Sequence, residues 1–118
     1  MNAEIFKEIG HYTGTEHWYR HPLNSQVTYT DGAKYVADTA GAYWLLDEIA
    51  LAQRFEPKVS GEPFQCWKLA VSGSTAVLTC EDGNGTVVHS KDIAFTDFPE
   101  PGITLWCTDR VILLPQEY

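Results

Sequence analysis

The sequence has little positive charge. Among its 118 residues, 8 are Lys or Arg and 16 are Asp or Glu, which gives a formal net charge of −8. Such a chain repels phosphate backbones and anionic lipid, so direct binding of nucleic acid is disfavoured. No apolar run approaches the ~20 residues of a membrane-spanning helix, and the N-terminus lacks the basic start and apolar stretch of a signal peptide. We therefore expect a cytoplasmic protein that contacts neither membrane nor nucleic acid.

The sequence also lacks a disulfide framework. It contains three cysteines, Cys66, Cys80 and Cys107, and no C-x-x-C pair. An odd and dispersed set is not typical of small secreted domains, so we expect reduced thiols. Cys66 and Cys80 fall in apolar segments on either side of a short turn. They could face each other there, and we expect them to be packed core residues rather than nucleophiles.

Motifs for nucleotide or acyl chemistry are absent as well. The chain has no G-x-G-x-x-G, no phosphate loop and no G-x-S-x-G elbow. Residues 81–85 have the composition of a calcium loop, but they lack its Asp-x-Asp spacing and its terminal Glu. We therefore predict no cofactor, assign no catalytic residue and favour a protein that is not an enzyme.

A metal site is the alternative that the histidines leave open. If Thr15–His21 is a strand, His17 and His21 lie four residues apart and project to the same face. A third ligand would have to come from Cys66, Cys80 or His89. A small metal-binding protein or a hydrolase that uses His17 and His21 with a Cys or an Asp is thus the second hypothesis. Ordinary surface histidines are the favoured interpretation.

The chain reads as one globular domain over residues 1–118, which begins with a short helix over residues 2–9. Asp31-Gly32 separates two β-prone runs, so a hairpin turn is favoured there. A helix that begins near Asp31 is the competing interpretation, because Asp caps helices well.

The main predicted helix covers residues 40–55, with Thr39 as its cap. Its core stripe, at helical spacing, comprises Ala42, Leu45, Leu46, Ile49 and Ala52. Trp44, Leu51 and Phe55 form a second apolar face of this helix. This face either packs under loops of this chain or contacts a partner.

After residue 63 the pattern changes to β-strands joined by short turns. The predicted strands are Phe64–Val71, Thr75–Cys80, Thr86–Ala94, Thr104–Thr108 and Val111–Leu114. Neighbouring strands with short turns pair antiparallel. The expected fold is therefore α+β, with one main helix packed on a curved antiparallel β-meander. Within it, we expect Asp97 to hold the loop after the third of these strands, Phe98 to fill the core and Pro99 to stiffen the chain. A recognition loop is the alternative there.

Several stretches together resemble a family of small uncharacterised proteins of bacteria, phages and other mobile elements, a domain of unknown function. The stretches that carry the resemblance are Thr13–His21 (TGTEHWYRH), Tyr29–Gly32 (YTDG), Ala42–Asp47 (AYWLLD), Phe64–Leu69 (FQCWKL), Glu81–Asn84 (EDGN), Thr96–Pro99 (TDFP) and Leu113–Glu117 (LLPQE). The resemblance covers nearly the whole chain and implies no substrate and no catalytic residue.

Two of these stretches suggest an interaction surface. Trp18, Tyr19 and Arg20 are residue types that dominate binding hot spots. If they converge with the second helix face at Trp44, Leu51 and Phe55, they form a surface that binds another protein, with a homodimer as one form. Burial of these aromatic side chains in the core is the alternative, and it is favoured because Trp is highly buried on average. The hypothesis is a small acidic inhibitor or accessory factor, and one version has its carboxylates imitating phosphates.

Overall fold

One mixed β-sheet organises the protein. The computed structural model describes residues 6, 9–12, 14 and 17–118. In this part of the chain the strands are, in chain order, β1 (Trp18–Arg20), β2 (Thr28–Thr30), β3 (Phe64–Ser72), β4 (Thr75–Glu81), β5 (Val87–Ile93), β6 (Gly102–Thr108) and β7 (Val111–Leu113). They form a seven-stranded sheet in the order β1-β2-β7-β6-β3-β4-β5.

The sheet is not the predicted meander, and that expectation is wrong in two respects. β2 pairs parallel with β7, which makes the sheet mixed. After β5 the chain crosses the end of the β3–β4 hairpin and adds β6 to the far side of β3. Loop 94–101 makes this crossing possible because it is tied to the hairpin: Thr96 N donates to Ser74 O at 2.8 Å and Val71 N to Pro101 O at 3.0 Å.

The predicted hairpin at Asp31-Gly32 is also wrong, because the first main helix begins there. Helix α1 covers Asp31–Ala40, and Thr30 is its N-cap, with the side-chain oxygen accepting from Ala33 N at 3.3 Å. Position 32 requires glycine because neighbouring side chains leave no room for a Cβ, and not because the backbone makes a turn there. A Cβ on it would lie 2.4 Å from Glu117 Oε1 and 2.7 Å from Leu114 Cδ1.

The second main helix, α2, covers Tyr43–Phe55, and a short helix α3 covers Pro57–Ser60. The expectation of one main helix over 40–55 is therefore wrong. Thr39 lies inside α1, and Gly41 closes α1 in the left-handed conformation. The stripe of Leu45, Leu46, Ile49 and Ala52 is buried as predicted. The helix predicted over 2–9 lies largely outside the described residues, which include a 3₁₀ turn over Ile9–His11.

The helices pack on one face of the sheet and leave the other as an outer face. Alternate strand residues, among them Trp67, Leu78, Leu105 and Ile112, join the helices in the core. The register pairs Trp67 with Cys80 and Cys66 with Glu81. Cys66 and Cys80 therefore point to opposite faces of the sheet and do not face each other, as neighbouring strands would have allowed. No helix in the described residues is long and apolar enough to cross a membrane.

A buried amide pair joins α2 to β3. Gln53 Nε2 donates to Gln65 Oε1 at 2.6 Å, and Gln65 Nε2 returns a bond to Gln53 Oε1 at 2.8 Å. Trp67 Nε1 also donates to Gln65 Oε1, at 3.0 Å. Because each buried polar group finds a partner, the pair fixes the helix over the sheet without an unsatisfied donor.

Candidate functional site

The three residues of β1 are divided between the two faces of the sheet. Trp18 is 56% exposed and lies with Arg20 on the outer face. Tyr19 lies on the helix side, where its ring stacks on Tyr29 with centroids 5.6 Å apart. The sequence suggested one continuous surface here, and strand alternation instead gives β1 two chemically different sides.

On the helix side, Tyr19 borders an open hollow of about 370 Å³, which we call the tyrosine dish. Helix α1 supplies its floor, since Asp31, Lys34, Tyr35 and Asp38 recur at the spacing of one helix face. The remaining lining residues are Tyr12, His17 and Tyr19. Tyr12 and Tyr35 stack with centroids 5.2 Å apart, so aromatic rings form much of the wall.

Asp31 accepts most of the hydrogen bonds on the β1 side of the dish. Tyr19 Oη donates to Asp31 Oδ1 at 2.8 Å, and His17 N donates to Oδ2 at 3.2 Å. The His17 ring approaches the same oxygen at 3.3 Å. The bond from Tyr19 is the main cause that lowers the pKa of Asp31, and the same bond raises the pKa of Tyr19.

Lys34 and Asp38 form the other side of the dish. Lys34 Nζ lies 2.7 Å from Asp38 Oδ2 and 5.6 Å from the centre of the Tyr19 ring. Tyr43 Oη donates to Asp38 as well. These contacts raise the pKa of Lys34, lower that of Asp38 and raise that of Tyr43 to about 12.

The aspartates, the lysine and the tyrosines at the dish suit binding better than proton transfer. The pKa values of the aspartates are lowered and those of the lysine and the tyrosines are raised, so each of these pKa values moves further from neutral pH. At pH 7 the carboxylates stay ionised, the ammonium stays charged and the phenols stay protonated. A general acid or base needs a pKa near the working pH. The dish thus offers fixed charges and donors beside flat rings.

Replacing Tyr19 with Phe tests this network. The pKa of Asp31 should rise toward its ordinary value, because the variant removes the main cause of its depression. In the wild type the stabilising contribution of Asp31 is present at neutral pH and is lost as pH falls through the folded-state pKa. A carbon-13 NMR titration of the carboxyl group measures the change. Tyr43→Phe is the control, and it should shift the titration of Asp38 while leaving Asp31 unchanged.

The second helix face does not join Trp18. Trp44 is half-buried against the core, Leu51 is half-buried and Phe55 is 66% exposed. Lys91 on β5 reaches across to Glu48 at 2.5 Å and covers part of this face. The predicted apolar ridge is therefore interrupted, and it lies on the helix side of the sheet, whereas Trp18 is on the outer face.

In the loop 96–99, the core position belongs to Phe98, which is only 2% exposed. Thr96 Oγ1 accepts from Phe98 N at 3.1 Å, so the hydroxyl of Thr96 holds the turn. Asp97 is exposed and Pro99 is half-buried. The anchoring role expected of Asp97 is thus carried by its neighbour.

The two histidines of the metal hypothesis have different carboxylate partners. His17 contacts Asp31, whereas His21 is 2% exposed and places Nε2 2.9 Å from Asp47 Oδ1. Leu23 N donates to His21 Nδ1 at 3.0 Å, so the proton of a neutral ring lies on Nε2. Among the described residues no group of three His, Cys, Asp or Glu side chains is arranged to hold a metal. His89 instead packs its ring edge-on against Trp67 at 5.8 Å.

Burial raises the pKa of all three thiols. The pKa of Cys66 is raised, and those of Cys80 and Cys107 reach about 12, with desolvation as the leading cause in each case. A thiol of this kind stays protonated at neutral pH and is a poor nucleophile. The cysteines are therefore packing residues of the sheet.

Most of the dish is not evident from the sequence. The favoured hairpin makes Asp31 a turn residue and places Lys34 and Tyr35 in a β-prone run, and Asp38 lies just beyond that run. The signal that could have identified them is their spacing, because residues 31, 34, 35 and 38 repeat as one face of a helix.

Fold and site together define an α+β protein with a mixed sheet, helices on one face and a charged, tyrosine-lined surface hollow. The chain belongs to a family of unknown function (DUF6876), whose model matches residues 3–118. This confirms the expected membership in a domain of unknown function. No curated protein matches the sequence.

A solved structure shares the fold. It is described as the crystal structure of a protein of unknown function from Enterococcus faecalis, and it superposes with a TM-score of 0.58 at 16% sequence identity. The similarity covers 86% of this chain and 91% of the other. At this identity the likeness concerns the fold alone.

Proposed function

We propose that the protein is a non-enzymatic binding protein that recognises another protein along β1. The observation that carries the proposal is the exposure of Trp18 on the outermost strand, 56%, with the fixed charges of the tyrosine dish on the other side of the same strand. An exposed Trp beside an Arg is the composition of a binding hot spot. The proposal keeps the cytoplasmic, bacterial or phage setting inferred from the sequence.

The position of β1 suggests how a partner would bind. β1 stands at the end of the strand order, and in the described residues it pairs only with β2. An extended segment can add to such an edge through main-chain hydrogen bonds while its side chains alternate between the two faces. Arg20 makes no ion pair in the described part of the chain, so an acidic side chain would suit the outer face. On the other face, partner side chains with hydroxyl or amide groups would suit the charged groups of the dish.

The distribution of acidic residues does not favour the phosphate-mimic version of the hypothesis. Asp82 and Asp109 follow β4 and β6 at one end of the sheet. Asp97 and Glu100 lie at the opposite end, where Glu100 accepts from Gly73 N in the β3–β4 turn. A nucleic-acid mimic needs carboxylates gathered on one face. Recognition through aromatic and fixed charged groups fits this arrangement better.

Site-specific photocrosslinking tests the proposal. A photoreactive phenylalanine at position 18 should crosslink a discrete partner in lysate of the source cells, and unlabelled wild-type protein should compete. Trp18→Ser and Arg20→Ser should compete at least about tenfold less well, because a buried Trp or Arg hot spot contributes ~2 kcal/mol or more.

Val77 provides the matched control, because it is an exposed apolar residue on the distant strand β4. The photoreactive group at position 77 should give no adduct of the same mass, and Val77→Ser should compete like the wild type. Equal crosslinking from both positions would rule out a specific surface at β1. An adduct with a second copy of the chain would identify a homodimer instead of a heterologous complex.

A further inference from the structure

A second hollow lies between the loop that joins β1 to β2, at Asn24–Gln26, and the last turn of α2. Its volume is about 400 Å³, and its lining residues are Asn24, Ser25, Gln26, Gln53 and Arg54. Small-molecule sites have volumes of roughly 300–1,000 Å³, so the hollow is large enough for a metabolite. In a chain with net charge −8, none of these lining residues is acidic.

A second arginine reaches the rim of this hollow from an unfavourable backbone position. Asp109 and Arg110 form the two-residue turn between β6 and β7, with φ angles of 52° and 64°. Such a turn prefers Asn-Gly, and a side chain with positive φ costs about 1 kcal/mol or more. The Arg110 guanidinium donates to Gln26 Oε1, which belongs to the lining. A strained residue whose charged end reaches a hollow indicates a role for that charge.

The hydrogen-bonding groups that remain available are two guanidinium groups, a hydroxyl and the Gln26 amide NH₂ group. The guanidinium of Arg54 also lies 5.5 Å from the centre of the Phe55 ring. The Asn24 amide donates to Ala50 O at 2.9 Å, and Gln53 Nε2 uses its donors on Ile49 O and Gln65 Oε1. In the described residues Ser25 makes no side-chain hydrogen bond, and neither Arg54 nor Arg110 has an ion pair. Glu62, Asp109 and Arg110 line a smaller neighbouring hollow of about 150 Å³, so Arg110 reaches the larger hollow only through its bond to Gln26. No carboxylate lines the larger hollow.

We propose that this hollow binds a small molecule through a phosphate group, held by Arg54, Arg110 and the Ser25 hydroxyl. Two guanidinium groups match the charge of a phosphate dianion, and their planar donors bond its oxygens in pairs. A carboxylate has one negative charge and two oxygens, which would leave donors unused. The rest of the hollow accommodates the organic part of the ligand.

Calorimetric titration with phenyl phosphate, inorganic phosphate and benzoate tests the proposal. Phenyl phosphate should bind with one-to-one stoichiometry, and inorganic phosphate and benzoate more weakly. Arg54→Gln and Arg110→Gly should each weaken phenyl phosphate binding about tenfold or more, because each removes a charge-assisted contact. Arg110→Gly should at the same time raise the melting temperature by a few degrees, since glycine relieves the turn.

Lys58→Gln is the control, because it removes an exposed positive charge from α3 outside the hollow. It should leave the affinity unchanged. Absence of saturable binding, or equal losses in Lys58→Gln and Arg54→Gln, would overturn the proposal. Benzoate binding as tight as that of phenyl phosphate would overturn the assignment of phosphate. Equal binding of inorganic phosphate and phenyl phosphate would overturn the role of the organic part.

Discussion

Replacing Gly102 with Ala should lower the free energy of unfolding by about 4 kcal/mol, since the change combines backbone strain with a steric clash. Gly102 has a φ of 108°, and a Cβ there would lie 1.7 Å from the carbonyl oxygen of Leu69. The obstacle is main chain of the paired strand β3, so no side-chain rotation can relieve it. Urea unfolding followed by circular dichroism measures the loss.

Gly73→Ala is the matched control for Gly102→Ala. Gly73 also has a positive φ, 62°, but nothing lies within 4 Å of the added Cβ. It should therefore show only the backbone effect of about 1 kcal/mol. Equal losses in the two variants would mean that Gly102 does not pass close to Leu69, and the described junction of the crossing loop with β6 would be wrong.

Glu117→Ala should destabilise the protein by about 3 kcal/mol, because it leaves buried donors without an acceptor. Glu117 is buried and accepts from Thr30 Oγ1 at 2.7 Å, from Gly32 N at 3.0 Å and from Leu114 N at 2.9 Å. Two of these donors lie at the N-terminus of α1, where free N–H groups favour a negative charge. The C-terminal segment thereby fastens the start of α1.

Glu117→Gln keeps the shape of the side chain and removes its charge. This variant should lower the free energy of unfolding by less, about 1–2 kcal/mol, since one of the two terminal atoms of its side chain is no longer an acceptor. Glu56→Ala, which removes an exposed carboxylate, should stay within about 0.5 kcal/mol of the wild type. If Glu117→Ala and Glu56→Ala unfold at the same urea concentration, the carboxylate of Glu117 does not fasten α1.

The second half of the fold was predictable because it is locally encoded. Alternating apolar residues and turn sequences identified β3, β4, β5, β6 and β7 to within two residues at each end. Their order in the sheet was not predictable, because loop 94–101 carries the chain across a hairpin through contacts that only the folded chain makes. Short turns specify neighbours, whereas a longer connection leaves the partner strand open.

The error at Asp31-Gly32 has a similar origin. Glycine after aspartate indicates a turn when positive φ is the reason for the glycine. Here the reason is the approach of Glu117 and Leu114, more than 80 positions later in the chain. The same long-range contact starts α1 and so creates the floor of the tyrosine dish. That is why the dish could not be assembled from sequence alone. The exposure of Trp18 was not predicted either, because Trp is highly buried on average.

Hydrogen exchange on the complex with the crosslinked partner tests the proposed function most directly. If an extended segment of the partner adds to the sheet along β1, amide exchange in Trp18–Arg20 should slow on binding. Exchange in the opposite edge strand, Val87–Ile93, should stay unchanged. Protection confined to Val87–Ile93, with none at Trp18–Arg20, would contradict recognition along β1.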